Sequence, residues 1–446
     1  TQDVDQVIDY ALDLHHFHEG SHGVPIAPVL ICTRAPSEQC SVPTSLAPDA
    51  LFEVTRTNAE GLRAVFSKIL GMTRAKQIAV PAWEASRYKP TPTIIEATLA
   101  LYRGHSVSEI SRSEAGVDNL TLTSKTVAGI VEAAKRNREK VICFVTGVPG
   151  AGKTLVGLDA ATRHISNRDE LYSVFLSGNG PLVAILQEAL TRDRIRQDRL
   201  RGKKTRKGLA RSAVKAFIQN VHHFRDEGLR DERPPVEHVA IFDEAQRAWD
   251  LGKTVDFMKR KKGIPGFSKS ESEFLISCLD RHPDWAVVIC LVGGGQEINT
   301  GEAGIREWLN AIDRSFPKWK VYVSDRLTDS EYGAEREMGL LRQRGQVECK
   351  AELHLAVSAR SFRSEKVSGF VKELLDLEVA QARENLRSIQ ERYPVMLTRD
   401  LHKARAWLRA QARGTERFGL VASSQAERLK PHAVDVRTPV NPVHWF

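Results

Sequence analysis

The chain has 446 residues, of which 41% are hydrophobic and 27% charged, with a formal charge of +9. That balance excludes an intrinsically disordered chain, and the length calls for two or three domains rather than one. The longest apolar run, 285–292, is less than half of the roughly 20 residues a membrane-spanning helix needs, so no membrane partner is expected. The first residues, Thr1-Gln2-Asp3-Val4-Asp5, are acidic and polar where a secretion signal is basic and then apolar. Six cysteines are scattered without CxxC pairs, which predicts a reducing cytoplasm with most thiols as core fillers. The positive balance suits a polyanionic partner.

Three regions separate by pattern: 1–118, 119–350 and 351–446. The first predicts a helix over 4–18, strands at 28–32 and 51–54, a helix over 60–70 and a Pro-broken connection at 89–93. In the second, apolar runs at 141–146, 173–177, 238–242, 286–292 and 321–323 alternate with helical patterns. Continuous rather than alternating runs are the mark of strands covered on both faces, so an α/β fold with a parallel sheet is expected. The third repeats the theme, with strands at 352–355, 395–398 and 419–422 and helices reaching 375 and 412.

The run at 141–146 leads into Gly147, Val148, Pro149, Gly150, Ala151, Gly152, Lys153 and Thr154. This is G-x-x-x-x-G-K-[ST] between a buried strand and a helix, the setting in which the motif binds phosphate. Glycines let successive backbone N–H groups turn inward, and the new helix adds its positive end. Lys153 then neutralises the β- and γ-phosphates of ATP, and the Thr154 hydroxyl ligates Mg²⁺. About ninety residues on, an apolar strand ends in Asp243-Glu244. Asp243 is expected to hold Mg²⁺ and Glu244 to polarise the attacking water, so the expected activity is ATP hydrolysis.

Further segments carry a resemblance. They are Asp243-Glu-Ala-Gln246-Arg247, Ser177-Gly-Asn179-Gly-Pro181-Leu182, Leu291-Val-Gly-Gly-Gly-Gln296-Glu-Ile-Asn299, Ala359-Arg360-Ser-Phe362-Arg363-Ser364 and Val221-His-His-Phe-Arg225. Together they resemble the Schlafen group 3-like DNA/RNA helicase domain family, of superfamily 1 type, from about residue 120 onward and more loosely before it. The resemblance implies a RecA-like ATPase domain, then a second, incomplete RecA-like domain, and a partner that is DNA or RNA with a single-stranded region. It also implies that Ser177 and Asn179 contact the strand and that Gln296 senses the γ-phosphate. Arg363 would reach ATP across a cleft, and Gln246 and Arg247 would lie at the nucleotide or at a domain interface. Gly294 stands where such enzymes carry an Asp. A final Gln-rich segment and a further arginine of the second motor domain are also missing, so the chain is expected to be a fragment that binds ATP but hydrolyses it poorly.

Basic residues crowd 192–207, Arg199, Arg201, Lys203 and Lys204 among them, and a second cluster spans 259–262. Two readings stand: a solvated loop, or contact with a phosphate backbone. Gln6-x-x-x-Tyr10 resembles an element of PD-(D/E)xK nucleases, which implies a fused or partner nuclease whose metal-binding strand lies upstream. His15, His16, His18 and His22 are weighed as a metal site against ordinary helix-end histidines. The alternative to a motor is a nucleotide-gated switch whose output belongs to another domain or partner.

Overall fold

The computed structural model describes residues 2–21, 24–36, 50–73, 78–86, 93–110, 114–148, 150–163, 173–293, 302–328, 332–343, 345, 347–356, 362–390, 394–414, 418–423, 425–435, 439 and 441–444. The chain divides into two compact units, Thr1–Thr91 with Ser361–Thr438, and Pro92–Arg360 with Pro439–Phe446.

In the first unit, β1 (Val29–Ile31) and β2 (Thr55–Thr57) pair in parallel. The helix Gln2–Phe17 buries Ala11 and Leu12 against Leu51. The strand expected at 51–54 falls later in the chain, because Leu51 makes only an isolated bridge to Ile26. The helices Phe362–Leu375 and Val379–Ile389 share a small core of Phe370, Ala382 and Ile389. The helix Leu401–Gln411 follows, capped by the Asp400 carboxylate. The strands expected at 395–398 and 419–422 do not form; both segments are irregular. Leu397 and Val421 are fully exposed, so these apolar residues find no neighbouring strand to cover them. Short apolar runs carry no information about whether such a neighbour exists.

The second unit is built on one sheet. Its strands are β3 (Lys140–Gly147), β4 (Ser173–Ser177), β5 (Ile218–Asn220), β6 (Val239–Asp243), β7 (Ala286–Gly293), β8 (Lys320–Val323), β9 (Val347–Cys349) and β10 (His354–Leu355). Their order is β5-β4-β6-β7-β3-β8-β9, with β10 on β3, and every pair is parallel. Alternation along β3 shows why its run is apolar throughout. Val141, Cys143 and Val145 enter one core with Val156, Leu158 and Phe175. Ile142 and Phe144 enter the other with Ile276 and Trp308. Helices cover both faces, as the continuous apolar pattern demands.

The run at 352–355, expected to open a third region, instead completes this sheet as β10. Asn119 clamps it from the helix Glu114–Asn137, donating to the His354 carbonyl and accepting from the Ala356 amide at 3.2 and 3.0 Å. Thr123, one turn on, donates to the Glu352 carbonyl at 2.6 Å.

Candidate active site

The phosphate-loop motif sits where the fold gives it meaning, at the carboxyl end of β3, leading into the helix Lys153–Thr162. Gly152 has φ +93°, a backbone conformation that favours glycine, and a Cβ there would crowd the Leu120 side chain at 2.7 Å. Gly157 lets the following helix lie close on the sheet: a Cβ would meet Leu291 at 2.6 Å. The Val148 amide donates to the Leu355 carbonyl at 3.1 Å, which ties the loop to β10. Lys153 Nζ donates to the carbonyls of Gly147 and Val148 at 2.6 and 3.2 Å, holding the ammonium over the loop. Pro149 lies outside the described residues.

Two strands away, β6 delivers Asp243 to the same edge. The Thr154 hydroxyl donates to Asp243 Oδ1 at 3.1 Å, joining residues 89 apart in sequence. Burial first, and then the neighbouring Glu244 carboxylate, push the Asp243 carboxyl up to about 7, against the pull of Thr154 and Lys153. A divalent cation between Thr154 and Asp243 would offset the cost of burying the ionised carboxylate, so this donor set suits Mg²⁺, a cation that prefers oxygen ligands.

Glu244 stands in the left-handed region, φ +55° and ψ +47°, a conformation that is costly for a residue with a Cβ and clusters at functional sites. Gln246 braces it. Its buried amide donates to the Glu244 carboxylate and accepts from the Gly293 N–H at 3.1 Å, linking the ends of β6 and β7. Trp308 donates to the Ala245 carbonyl at 2.8 Å and fixes the same turn from below. Arg247 is half-exposed, 4.0 Å from Glu244.

A buried ionic knot follows. Arg225 is 2% exposed and pairs with Glu271 at 2.9 Å, its guanidinium stacked over Phe257 and Trp249 at 4.5 and 5.2 Å. Glu271 also accepts from the Trp249 amide at 3.0 Å. The knot therefore ties the stretch after Asp243-Glu244 to two flanking helices, which the Val221–Arg225 motif alone did not disclose.

Ser177 is buried at the end of β4, opposite Asp243, and its hydroxyl accepts from the Asn179 amide at 3.2 Å. Asn179 is exposed and caps the next helix through the Leu182 amide at 3.2 Å. Gln296 lies outside the described residues, as does the side chain of Arg363, which opens the helix Phe362–Leu375. Arg199 stands exposed in the last turn of the helix Gly180–Leu200, and Arg201, Lys203 and Lys204 in the short exposed connection to the helix Lys207–Phe217.

Of the four N-terminal histidines, His18 is seen in hydrogen-bonded packing. Both ring nitrogens of His18 are engaged by hydroxyls, Ser21 at 2.8 Å and Ser86 at 2.9 Å. His22 and the side chain of His16 lie outside the described residues. Tyr10 is 60% exposed and accepts from Gln6 at 3.0 Å. A second group, His238, His282 and Asp284, brings potential ligand atoms within 4.8 Å of one another. Its rings stack face to face at 3.9 Å, His238 stacks on Trp285 at 4.4 Å, and each ring is held by a backbone carbonyl. Stacking turns ring faces, not lone pairs, towards each other. The described cysteines, Cys32, Cys143, Cys278, Cys290 and Cys349, are all free thiols. No helix among the described residues is long and apolar enough to cross a membrane.

A parallel α/β sheet with a phosphate-loop turn at its carboxyl edge defines the class, a RecA-like domain. Residues 140–446 match the model of the Schlafen group 3, DNA/RNA helicase domain, and the chain belongs to that family. A comparison with curated proteins found no match.

Proposed function

We propose that this chain is a superfamily 1-type, Mg²⁺-dependent ATPase that couples hydrolysis to movement on single-stranded DNA or RNA. The observation that carries the reading is the 3.1 Å contact between Thr154 and Asp243, which brings the two halves of a nucleotide site together from distant parts of the chain. In this reading Lys153 leaves the Gly147 and Val148 carbonyls for the β- and γ-phosphates. Thr154 and Asp243 hold the metal, which supplies charge neutralisation on the phosphates. Glu244, held by Gln246, orients the attacking water. Gln296 completes the γ-phosphate contacts, and exposed Asn179 borders the strand, held by buried Ser177 through its amide. Arg247 lies at the nucleotide edge. The free thiols suit a reducing, cytoplasmic setting.

The test separates binding from chemistry. Glu244→Gln should bind ATP with Mg²⁺ as the wild type does and lose turnover, because Thr154 and Asp243 are untouched while the water-orienting carboxylate is gone. Wild-type turnover in that variant would remove Glu244 from the mechanism.

A further inference from the structure

The strongest concentration of charge lies away from the nucleotide edge. Residues 192–215 hold eleven Lys and Arg against two Asp, a net +9 that equals the formal charge of the entire chain. The rest of the molecule is therefore neutral on balance.

The fold puts that charge on a projection. The helix Gly180–Leu200 leaves β4 and runs back along the sheet, with Asn179 at its start. Its 21 residues span roughly 30 Å, whereas the five residues of β4 span roughly 17 Å, so the helix overshoots the strand it covers. Burial agrees: no residue from 194 to 200 is buried, while Val183, Leu186 and Leu190 are. Gly202, at φ +74°, ends the helix, and the helix Lys207–Phe217 returns to β5. The returning helix buries Ala210, Val214 and Phe217 and leaves Lys207, Arg211 and Lys215, one turn apart, on its exposed face.

The two acids of the segment are turned to internal partners. Asp193 is buried against Arg103, and Asp198 accepts from the Thr205 hydroxyl at 2.6 Å. By contrast Arg199, Arg201, Lys203, Lys204, Arg206 and Arg211 have no ion-pair partner among the described residues. The second basic cluster differs, since Lys262 pairs with Asp226 at 2.7 Å and Arg260 with Asp256 at 3.0 Å.

From this we infer that the hairpin tip is a docking surface for the phosphate backbone of double-stranded nucleic acid, separate from the strand path at the nucleotide edge. The inference rests on the nucleic-acid reading above and adds a second contact to it. Duplex is favoured over single strand because 192–215 contains no aromatic residue on which a base could stack. Unpaired cations at the tip of a helical hairpin instead suit contact with backbone phosphates, which are read without regard to sequence.

The test compares two fourfold variants of the full chain, R199A/R201A/K203A/K204A and K259A/R260A/K261A/K262A, which remove equal charge. Binding to a 20-base-pair DNA duplex and to a 20-nucleotide oligo-dT is followed across salt concentration, with a thermal melt to show that both variants fold. The hairpin variant should flatten the duplex salt slope by about three to four, as expected for losing four phosphate contacts at ~0.9 each. The second variant should change it much less, and oligo-dT should lose less than duplex. An unchanged duplex slope in the hairpin variant, equal loss in both variants, or a larger loss on oligo-dT would overturn the inference. Failure of the wild-type chain to bind either nucleic acid at low salt would instead overturn the broader reading on which it rests.

Discussion

The carboxyl edge of the sheet and the tip of the hairpin use charge in opposite ways. At the edge, Lys153, Thr154 and Glu244 lie close to Asp243, whose carboxyl is pushed up to about 7 by burial first and then by Glu244. At the tip, Arg199, Arg201, Lys203 and Lys204 stand in solvent. Converging groups around a buried carboxylate suit chemistry, where position and protonation decide the rate. Exposed, uncoupled groups suit attraction, where only their number and sign matter. The comparison predicts that single substitutions should be severe at the edge and mild at the tip.

The largest effect is expected at Lys153. Lys153→Ala removes the cation over the loop and should lower ATP turnover by on the order of 10³. Among single tip variants, Arg201→Ala should leave the melting temperature unchanged and weaken nucleic-acid binding only slightly. If single tip variants rivalled Lys153→Ala in their effect on turnover, the division between the two regions would collapse.

Next is the ionic knot behind the edge. Arg225→Met leaves Glu271 buried without its cation and should destabilise the chain by about 3–5 kcal/mol in denaturant unfolding. Adding Glu271→Gln should recover part of that loss, since the stranded charge is then removed. No recovery in the double variant would mean that Arg225 acts through packing on Phe257 and Trp249 rather than through charge.

A smaller effect concerns pH. Because Asp243 takes its proton more readily folded than unfolded, it favours the folded state at low pH, and that contribution fades as pH rises from about 4 through about 7. Without Mg²⁺, the melting temperature of wild type relative to Asp243→Asn should therefore fall across that window. A flat difference would place the Asp243 carboxyl in an ordinary range.

The smallest effect on stability is backbone strain. Glu244→Gly should stabilise folding by about 1 kcal/mol, because glycine adopts φ +55° without penalty, while abolishing turnover. A loss of stability would show that the bond to Gln246 outweighs the strain.

Legibility in the sequence followed covering. The runs that became β3, β4, β6, β7 and β8 are apolar on both faces because two cores enclose them, and such runs can be read directly. The phosphate loop was equally legible, since a glycine pattern between strand and helix has few other uses. Val395–Leu397 and Val421 show the same local composition but lie exposed, and local composition does not report whether a partner strand exists. β10 was visible as a strand, yet its sheet was not, because Asn119 and Thr123 bind it from more than two hundred residues away. Gln246 as a brace and Arg225 as a buried cation were illegible for the same reason: a polar residue's role depends on what folding sets beside it.

The most direct test of the motor reading is the rate of ATP turnover with Mg²⁺, with and without single-stranded DNA and RNA. Turnover should rise on adding strand and be lost in Lys153→Ala. Turnover indifferent to either strand, accompanied by an ATP-dependent change in oligomeric state, would contradict it and favour a nucleotide-gated switch.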